Sequence, residues 1–151
     1  MLDDLDRRIL RRLQADPGMP MAALADAVGS TATVCSRRLA RLRDQGIVRG
    51  TRARIDWAAL GYAVEVSLRI TLDKTNPRAF DDFIEAARQV PQVIEIQTFL
   101  GRVDVRLSVI ARDMGDYQKV YRERILHLPH IADIEALMHV ARIKADEVLP
   151  V

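Results

Sequence analysis

Apolar residues recur with two different periods along this chain. Up to about residue 45 the spacing is helical. Leu5, Ile9 and Leu13 come round every four residues, and Asp3, Asp4 and Asp6 crowd the expected first turn, where acids complement the helix dipole. "DPG" at 16–18 stops this helix. Pro20 suits the first helical position of a short second helix, "MAALADAV", which Gly29 closes. Ser30 or Thr31 caps a third helix that runs to about Gln45 and ends at Gly46. "IVRG" and "RARI" then predict two short strands joined by a tight turn at Gly50–Thr51.

From Tyr62 the period becomes two. "YAVEVSLRITL" sets Tyr62, Val64, Val66, Leu68, Ile70 and Leu72 on one face, which predicts a half-buried strand. "NPRAFDDFIEAARQV" predicts a helix with Phe80, Phe83, Ile84 and Ala87 inward and Asn76 as its cap. "VIEIQTF" and "VDVRLSVIA", the latter alternating Val103, Val105, Leu107 and Val109, form strands about a hairpin turn at Gly101–Arg102. "MGDYQKVYRERIL" is a helix with Tyr117, Val120, Tyr121 and Ile125 inward, and "IADIEALMHVARI" is a last strand.

The fold class is therefore α+β. A winged helix-turn-helix occupies residues 1–56, and a ferredoxin-like βαββαβ unit with an antiparallel sheet occupies 57–151. Such a sheet carries helices on one face only. The other face must meet solvent, a ligand or a second copy, and Ile110 and Val140 predict that it is partly apolar and self-associating. The connecting stretch 54–62, "RIDWAALGY", is short and not rich in Gly or Ser, so it predicts a rigid hinge.

Charge sharpens this picture. The net charge is only +2, but residues 1–56 carry 11 Arg against 7 Asp (+4), and residues 57–151 carry 12 basic against 14 acidic residues (−2). Residues 31–54 hold seven Arg against one acid, Asp44 (+6). On the third helix Cys35, Leu39 and Leu42 fall on one stripe, which seats it on the first two helices. Thr33, Ser36, Arg37 and Arg41 then point away, with Arg38 and Arg43 on the flanks. A planar guanidinium binds a guanine edge or a phosphate in two places, and hydroxyl residues at a helix start let the backbone approach phosphates. The predicted duplex-contacting set is Thr31, Thr33, Ser36, Arg37, Arg38 and Arg41, with Arg52 and Arg54 of the wing on phosphates. An arginine-rich helix can also be no more than a solvated face.

The whole chain resembles the Lrp/AsnC (leucine-responsive/asparagine, "feast/famine") regulators. "LDDLDRRILRRLQAD" is similar to their opening helix, and "LADAVGSTATVCSRRLARLRDQGIVRG" to their helix-turn-helix. "LGRVDVRLSV" is similar to the Gly-x-x-Asp turn of the effector domain, and "DMGDYQKVYRERILHLPHI" to the helix and Leu-Pro turn that follow it. The resemblance implies a sequence-specific, double-stranded-DNA-binding transcriptional regulator that forms dimers and then tetramers or octamers. It also implies an amino-acid effector at the contacts between dimers. The implied effector residues are Leu100, Gly101, Arg102 and Asp104 of the turn, Met114, and Ala136 and Met138 of the last strand, with Asp104 accepting from an α-ammonium. Ser30, Arg43, Thr51, Arg102 and Ala136 depart from the family's usual residues.

Other chemistries find little footing. No segment approaches the roughly 18–20 apolar residues of a membrane span, and "MLDDLDRRIL" has no apolar signal core, which predicts a cytoplasmic protein. Cys35, the one cysteine, is core-phased and predicts an inert packed thiol. His127 and His130 straddle Pro129 with no third ligand type nearby, so neither a metal nor another cofactor is expected. The alternative function is a tetrapyrrole decarboxylase on the same two-domain scaffold. It needs histidines and aromatics around a large cleft, but all three histidines fall within 127–139 and the chain has seven aromatics.

Overall fold

The computed structural model describes residues 1–145 and 148–151. They form two compact units, Met1–Arg54 with Lys144–Val151, and Ile55–Ile143.

The first unit holds three helices, α1 (Asp4–Ala15), α2 (Met21–Val28) and α3 (Ala32–Asp44). Asp3 caps α1 in a capping box with Asp6, each side chain accepting from the other's amide (2.9 and 3.1 Å). Pro20 stands at the cap position of α2, one residue earlier than its fixed φ suggested. Gly29 closes α2 at φ +66°, a left-handed conformation that a side chain would strain. Two residues later Thr31 caps α3, its Oγ1 accepting from the Val34 amide at 3.3 Å. Ile9, Leu24, Ala25, Val28, Cys35 and Leu42 make one buried cluster. Cys35 lies fully inside it, as its phase requires. Arg8 Nη1 donates to the Val28 carbonyl at 2.8 Å and so ties α1 to the end of α2.

No strand forms over 47–55 among the described residues. The two expected wing strands are instead an irregular segment, exposed except at Val48, which packs on the buried cluster of the three helices. Only Val48 of this arginine-rich stretch finds apolar partners, too little packing to hold an isolated hairpin. In the same unit Arg11 Nε donates to the Val151 carbonyl (2.5 Å), and Gln14 exchanges two bonds with the backbone of Leu149 (2.5 and 3.2 Å).

The second unit runs β1 (Val64–Leu72), α4 (Ala79–Arg88), β2 (Val93–Thr98), β3 (Val105–Ala111), α5 (Met114–Glu123), a 3₁₀ turn (Ile125–His127) and β4 (Ile131–Met138). The sheet order is β2-β3-β1-β4 with every pair antiparallel, the expected ferredoxin-like arrangement. Val66, Leu68 and Ile70 of β1 and Val105, Leu107 and Val109 of β3 meet Phe83, Ala87, Tyr117, Val120 and Ile125 in one core. Two helix details differ from the pattern reading. Phe80 is exposed and Ala79 takes the buried position, because the seam of α4 runs through Ala79, Phe83 and Ala87 at four-residue spacing and Phe80 falls beside it. Asn76 does not cap α4; its side chain accepts from the Arg78 amide in a preceding turn (2.9 Å).

The outward sheet face is more charged than expected. Across β2-β3-β1-β4 one rung reads Gln97, Arg106, Arg69, Glu135, and the next Glu95, Ser108, Ser67, Leu137. Ile110 is buried and Val140 is exposed beyond the end of β4, so neither makes this face an apolar patch.

Candidate nucleic-acid interface and effector cleft

A helix can present side chains to a duplex only if its opposite side is fixed. Cys35, Leu39 and Leu42 fix α3, all 4% exposed or less. Thr31, Thr33, Ser36 and Arg37 are then exposed along its first half, and Arg52 and Arg54 are exposed beyond its end. Arg43 and Arg49 are exposed as well.

Arg38 and Arg41 differ from the sequence expectation. Arg41 Nη2 lies 2.5 Å from Asp6 Oδ2. Arg38 Nη1 pairs with Asp3 and also reaches Asp6 Oδ1 at 3.3 Å. Both guanidiniums therefore turn toward α1 of their own chain. The reason lies in α1. Leu2, Asp6, Ile9 and Leu13 share its inward seam, and Asp6 is fully buried. A carboxylate taken from water needs charged or N–H partners. Asp6 finds three, in Arg38, Arg41 and the Asp3 amide. The Asp6 amide and then the Arg38 guanidinium hold the Asp3 carboxyl below the usual carboxylate range, and Asp3 in turn raises the Arg38 pKa. The signal was present in the sequence as an acid at an apolar-seam position.

In the second unit the Gly101–Asp104 turn joins β2 to β3, with Gly101 at φ +151°, where glycine is favoured. Thr71 Oγ1 donates to the Arg102 carbonyl (2.9 Å), and the Asp104 amide donates to the Ile70 carbonyl (2.9 Å). Asp104 is not open to an α-ammonium as expected. It is 5% exposed, Oδ2 accepts from the Leu72 amide (2.8 Å), and Oδ1 pairs with Lys74 Nζ (2.7 Å). Burial pushes its pKa up, but the Lys74 ammonium and the Leu72 amide outweigh it, so the net shift is downward. Asp104 is a strut between β3 and β1.

Leu100, Gly101 and Arg102 line one surface cleft of about 540 Å³ with Arg69, Gln97, Phe99, Val103 and Arg106. An adjoining cleft of about 440 Å³ adds Thr71, Asp133 and Glu135. Met114, Ala136 and Met138 line neither cleft. Ala136 and Met138 pair with Leu68 and Val66, on the helix side of the edge strand, and Met114 opens α5 after the end of β3 that pairs with Val64. At about 3.3 Å per residue, Ala136 and Met138 sit roughly 10–16 Å along β1 from the turn beside Thr71. Arg69 and Arg106 were not predicted, because only the strand register sets them side by side.

His130 Nε2 meets Asp82 (3.1 Å) and His127 Nδ1 meets the Arg122 carbonyl (3.1 Å). Neither histidine belongs to a three-residue metal-ligating cluster among the described residues.

Comparison with known proteins agrees with this geometry. Residues 2–49 match the family model "Winged helix-turn-helix DNA-binding", and residues 65–149 match the "Lrp/AsnC ligand binding domain". The chain is 30% identical over its full length to the DNA-binding transcriptional activator DecR of Escherichia coli, covering 99% of that protein. It is 32% identical, over 87% of its length and 86% of the relative's, to the proline dehydrogenase transcriptional activator of Rhodobacter capsulatus. Among solved structures, a transcriptional regulator of Neisseria meningitidis in complex with L-Met superposes with a TM-score of 0.91 at 25% identity, covering 99% of this chain and 97% of that one. An AsnC family regulator of Agrobacterium tumefaciens gives 0.89 at 31% identity, with the same coverage. These relatives are regulators, which leaves the tetrapyrrole decarboxylase alternative without support. A three-helix unit with an exposed guanidinium face, joined to a ferredoxin-like ligand-binding unit, places the chain in the Lrp/AsnC family: it is a DNA-binding transcriptional regulator and not an enzyme.

Proposed function

We propose that α3 enters the major groove with Thr33, Ser36 and Arg37 at base edges, while Thr31 lies beside a phosphate and Arg52 and Arg54 hold phosphates. Arg38 and Arg41 leave the contacting set and orient the helix instead. The observation that carries this reading is the exposed Thr33-Ser36-Arg37 face on a helix whose seam is buried and whose other guanidiniums toward α1 are occupied. Two copies read a roughly two-fold symmetric site in cytoplasmic DNA, and tetramers or octamers are built from such dimers. Exposed Phe99, Leu100, Ile94 and Met138 supply apolar surface for a second copy.

The second unit takes an amino-acid effector. The turn residues Leu100–Arg102 and the distant Met114, Ala136 and Met138 serve one ligand only if neighbouring copies each contribute one set. Effector binding then shifts the population or spacing of assemblies on DNA. Gel shifts on the DNA upstream of the chain's own gene test the interface. Arg37→Ala is expected to weaken binding and relax preference at one position by about 1–3 kcal/mol. Arg54→Ala should weaken all sequences alike and lower the salt slope by about one unit. Parent-like binding by both variants at matched salt would overturn the placement of α3.

A further inference from the structure

The outward sheet face contains an electrostatic conflict. Arg69 and Arg106 are direct cross-strand partners. Like charges at such positions have their Cβ atoms only about 4.5–5.5 Å apart and repel each other. The protein relieves this incompletely. Arg69 meets Glu135 at a loose 3.6 Å, and Arg106 Nη2 meets Glu95 at 3.1 Å. Arg106 Nε is buried without a hydrogen-bond partner, a donor desolvated and unused. Arg102, exposed and in no ion pair among the described residues, opens on the same cleft. Three guanidiniums and no carboxylate line that cleft, and the exposed Phe99 rims it. The adjoining cleft shares Arg69, Arg102 and Val103 but ends in Asp133 and Glu135.

The geometry points to an effector with two carboxylates and one ammonium, an amino acid with an acidic side chain. Its carboxylates span Arg69, Arg102 and Arg106, each guanidinium able to hold a carboxylate through two parallel bonds. Its ammonium lies toward Asp133 and Glu135. Asp104, spent on Lys74 and the Leu72 amide, cannot serve the ammonium. A neutral side chain would leave the Arg69–Arg106 repulsion in place, so the arginine rung selects for the second negative charge. Together the two clefts fall within the roughly 300–1,000 Å³ usual for small-molecule sites. This inference rests on the reading that the second unit binds an amino acid.

Thermal denaturation and calorimetric titration of the full chain with L-glutamate, L-aspartate, L-glutamine, L-leucine and L-methionine at matched ionic strength test it. Glutamate or aspartate is expected to raise Tm with dose, and glutamine, leucine and methionine are not. Arg102 is an exposed turn residue, so Arg102→Gln should fold normally and weaken the acidic ligand about tenfold or more. Arg102→Lys should keep part of the affinity. Equal affinity for glutamate and glutamine, or an unchanged Kd in Arg102→Gln, overturns the inference. If leucine or methionine alone stabilises the chain, the acidic class is wrong and the amino-acid reading stands. If none of the twenty amino acids shifts Tm or DNA mobility, both fall together.

Discussion

Removing the Asp6 carboxylate tests the link between α1 and α3. Asp6 is fully buried and accepts from Arg41 at 2.5 Å, from Arg38 at 3.3 Å and from the Asp3 amide at 3.1 Å. Breaking a buried ion pair by deleting one partner costs about 3–5 kcal/mol when the other charge stays buried. Here the arginines can swing out, since their side chains are already 24% and 43% exposed. The penalty of a stranded cation is then largely avoided. What remains is the loss of charge-assisted bonds, a capping-box bond and a small void, together about 2–3 kcal/mol for Asp6→Ala. In a unit of this size each kcal/mol moves Tm by about 4–8 °C, so the unfolding temperature of the helical unit should fall by roughly 8–24 °C. Asp6→Asn, which keeps the shape and loses the charge, should recover only part of this.

Urea denaturation followed by far-UV dichroism gives the stability, and a double-mutant cycle with Arg41→Ala isolates the pair. Fluorescence anisotropy on operator DNA gives the functional cost. Because Arg41 is assigned to α1 and not to phosphate, Arg41→Ala should leave the salt slope of binding unchanged, whereas Arg54→Ala should lower it by about one. Asp6→Ala within about 0.5 kcal/mol of the parent, or a reduced salt slope in Arg41→Ala, would show that the guanidiniums face the duplex after all.

Three further outcomes are expected. Phe83→Ala, which empties a fully buried site in the core of the second unit, should cost about 3–5 kcal/mol in urea denaturation with no loss of DNA affinity beyond that due to unfolding. Thr31→Ala removes the α3 cap and should cost about 0.5–1 kcal/mol by the same measurement. Asp104 has a folded pKa below its ordinary 3.8, so its stabilisation is present above that value and is lost as pH falls through the lower folded one. The stability gap between the parent and Asp104→Asn should accordingly be largest near neutral pH and narrow as pH falls below the ordinary carboxylate range, as read from urea midpoints.

The periodicities carried most of the fold. Alternation over 62–72 and 103–111 requires strands because one face of each is buried, and the helical spacing of Leu5, Ile9 and Leu13 requires a seam. Where side chains do not pack, the pattern misled. Residues 47–55 have strand-like composition but nothing to pair against, and Phe80 sits one residue off the Ala79–Phe83–Ala87 seam of its helix. Exposure was legible when set by phase within one element, as for Thr33 and Arg37. Site residues were not legible when set by contact between elements. Arg38 and Arg41 depend on where Asp6 lies, and Arg69 and Arg106 depend on the β1–β3 register.

This division corrects the electrostatics of the DNA-facing segment. Counting residues 31–54 gives seven arginines against Asp44. Two of those arginines, Arg38 and Arg41, are neutralised by Asp3 and Asp6, which lie outside the counted segment. Five remain, at 37, 43, 49, 52 and 54. At about 0.9 of a salt-slope unit per neutralised phosphate, the ceiling from this segment is near 4.5 per subunit and not the 6 or more that seven would give. A measured slope per subunit above that ceiling would require contacts from elsewhere, for which Arg7 and Arg12 of α1, exposed and in no ion pair among the described residues, are available. The same rigid fork that suits arginine to a phosphate also suits it to a buried carboxylate. A local run of arginines therefore states how many charges are available, and the acid in the neighbouring helix's seam decides how many of them reach the duplex.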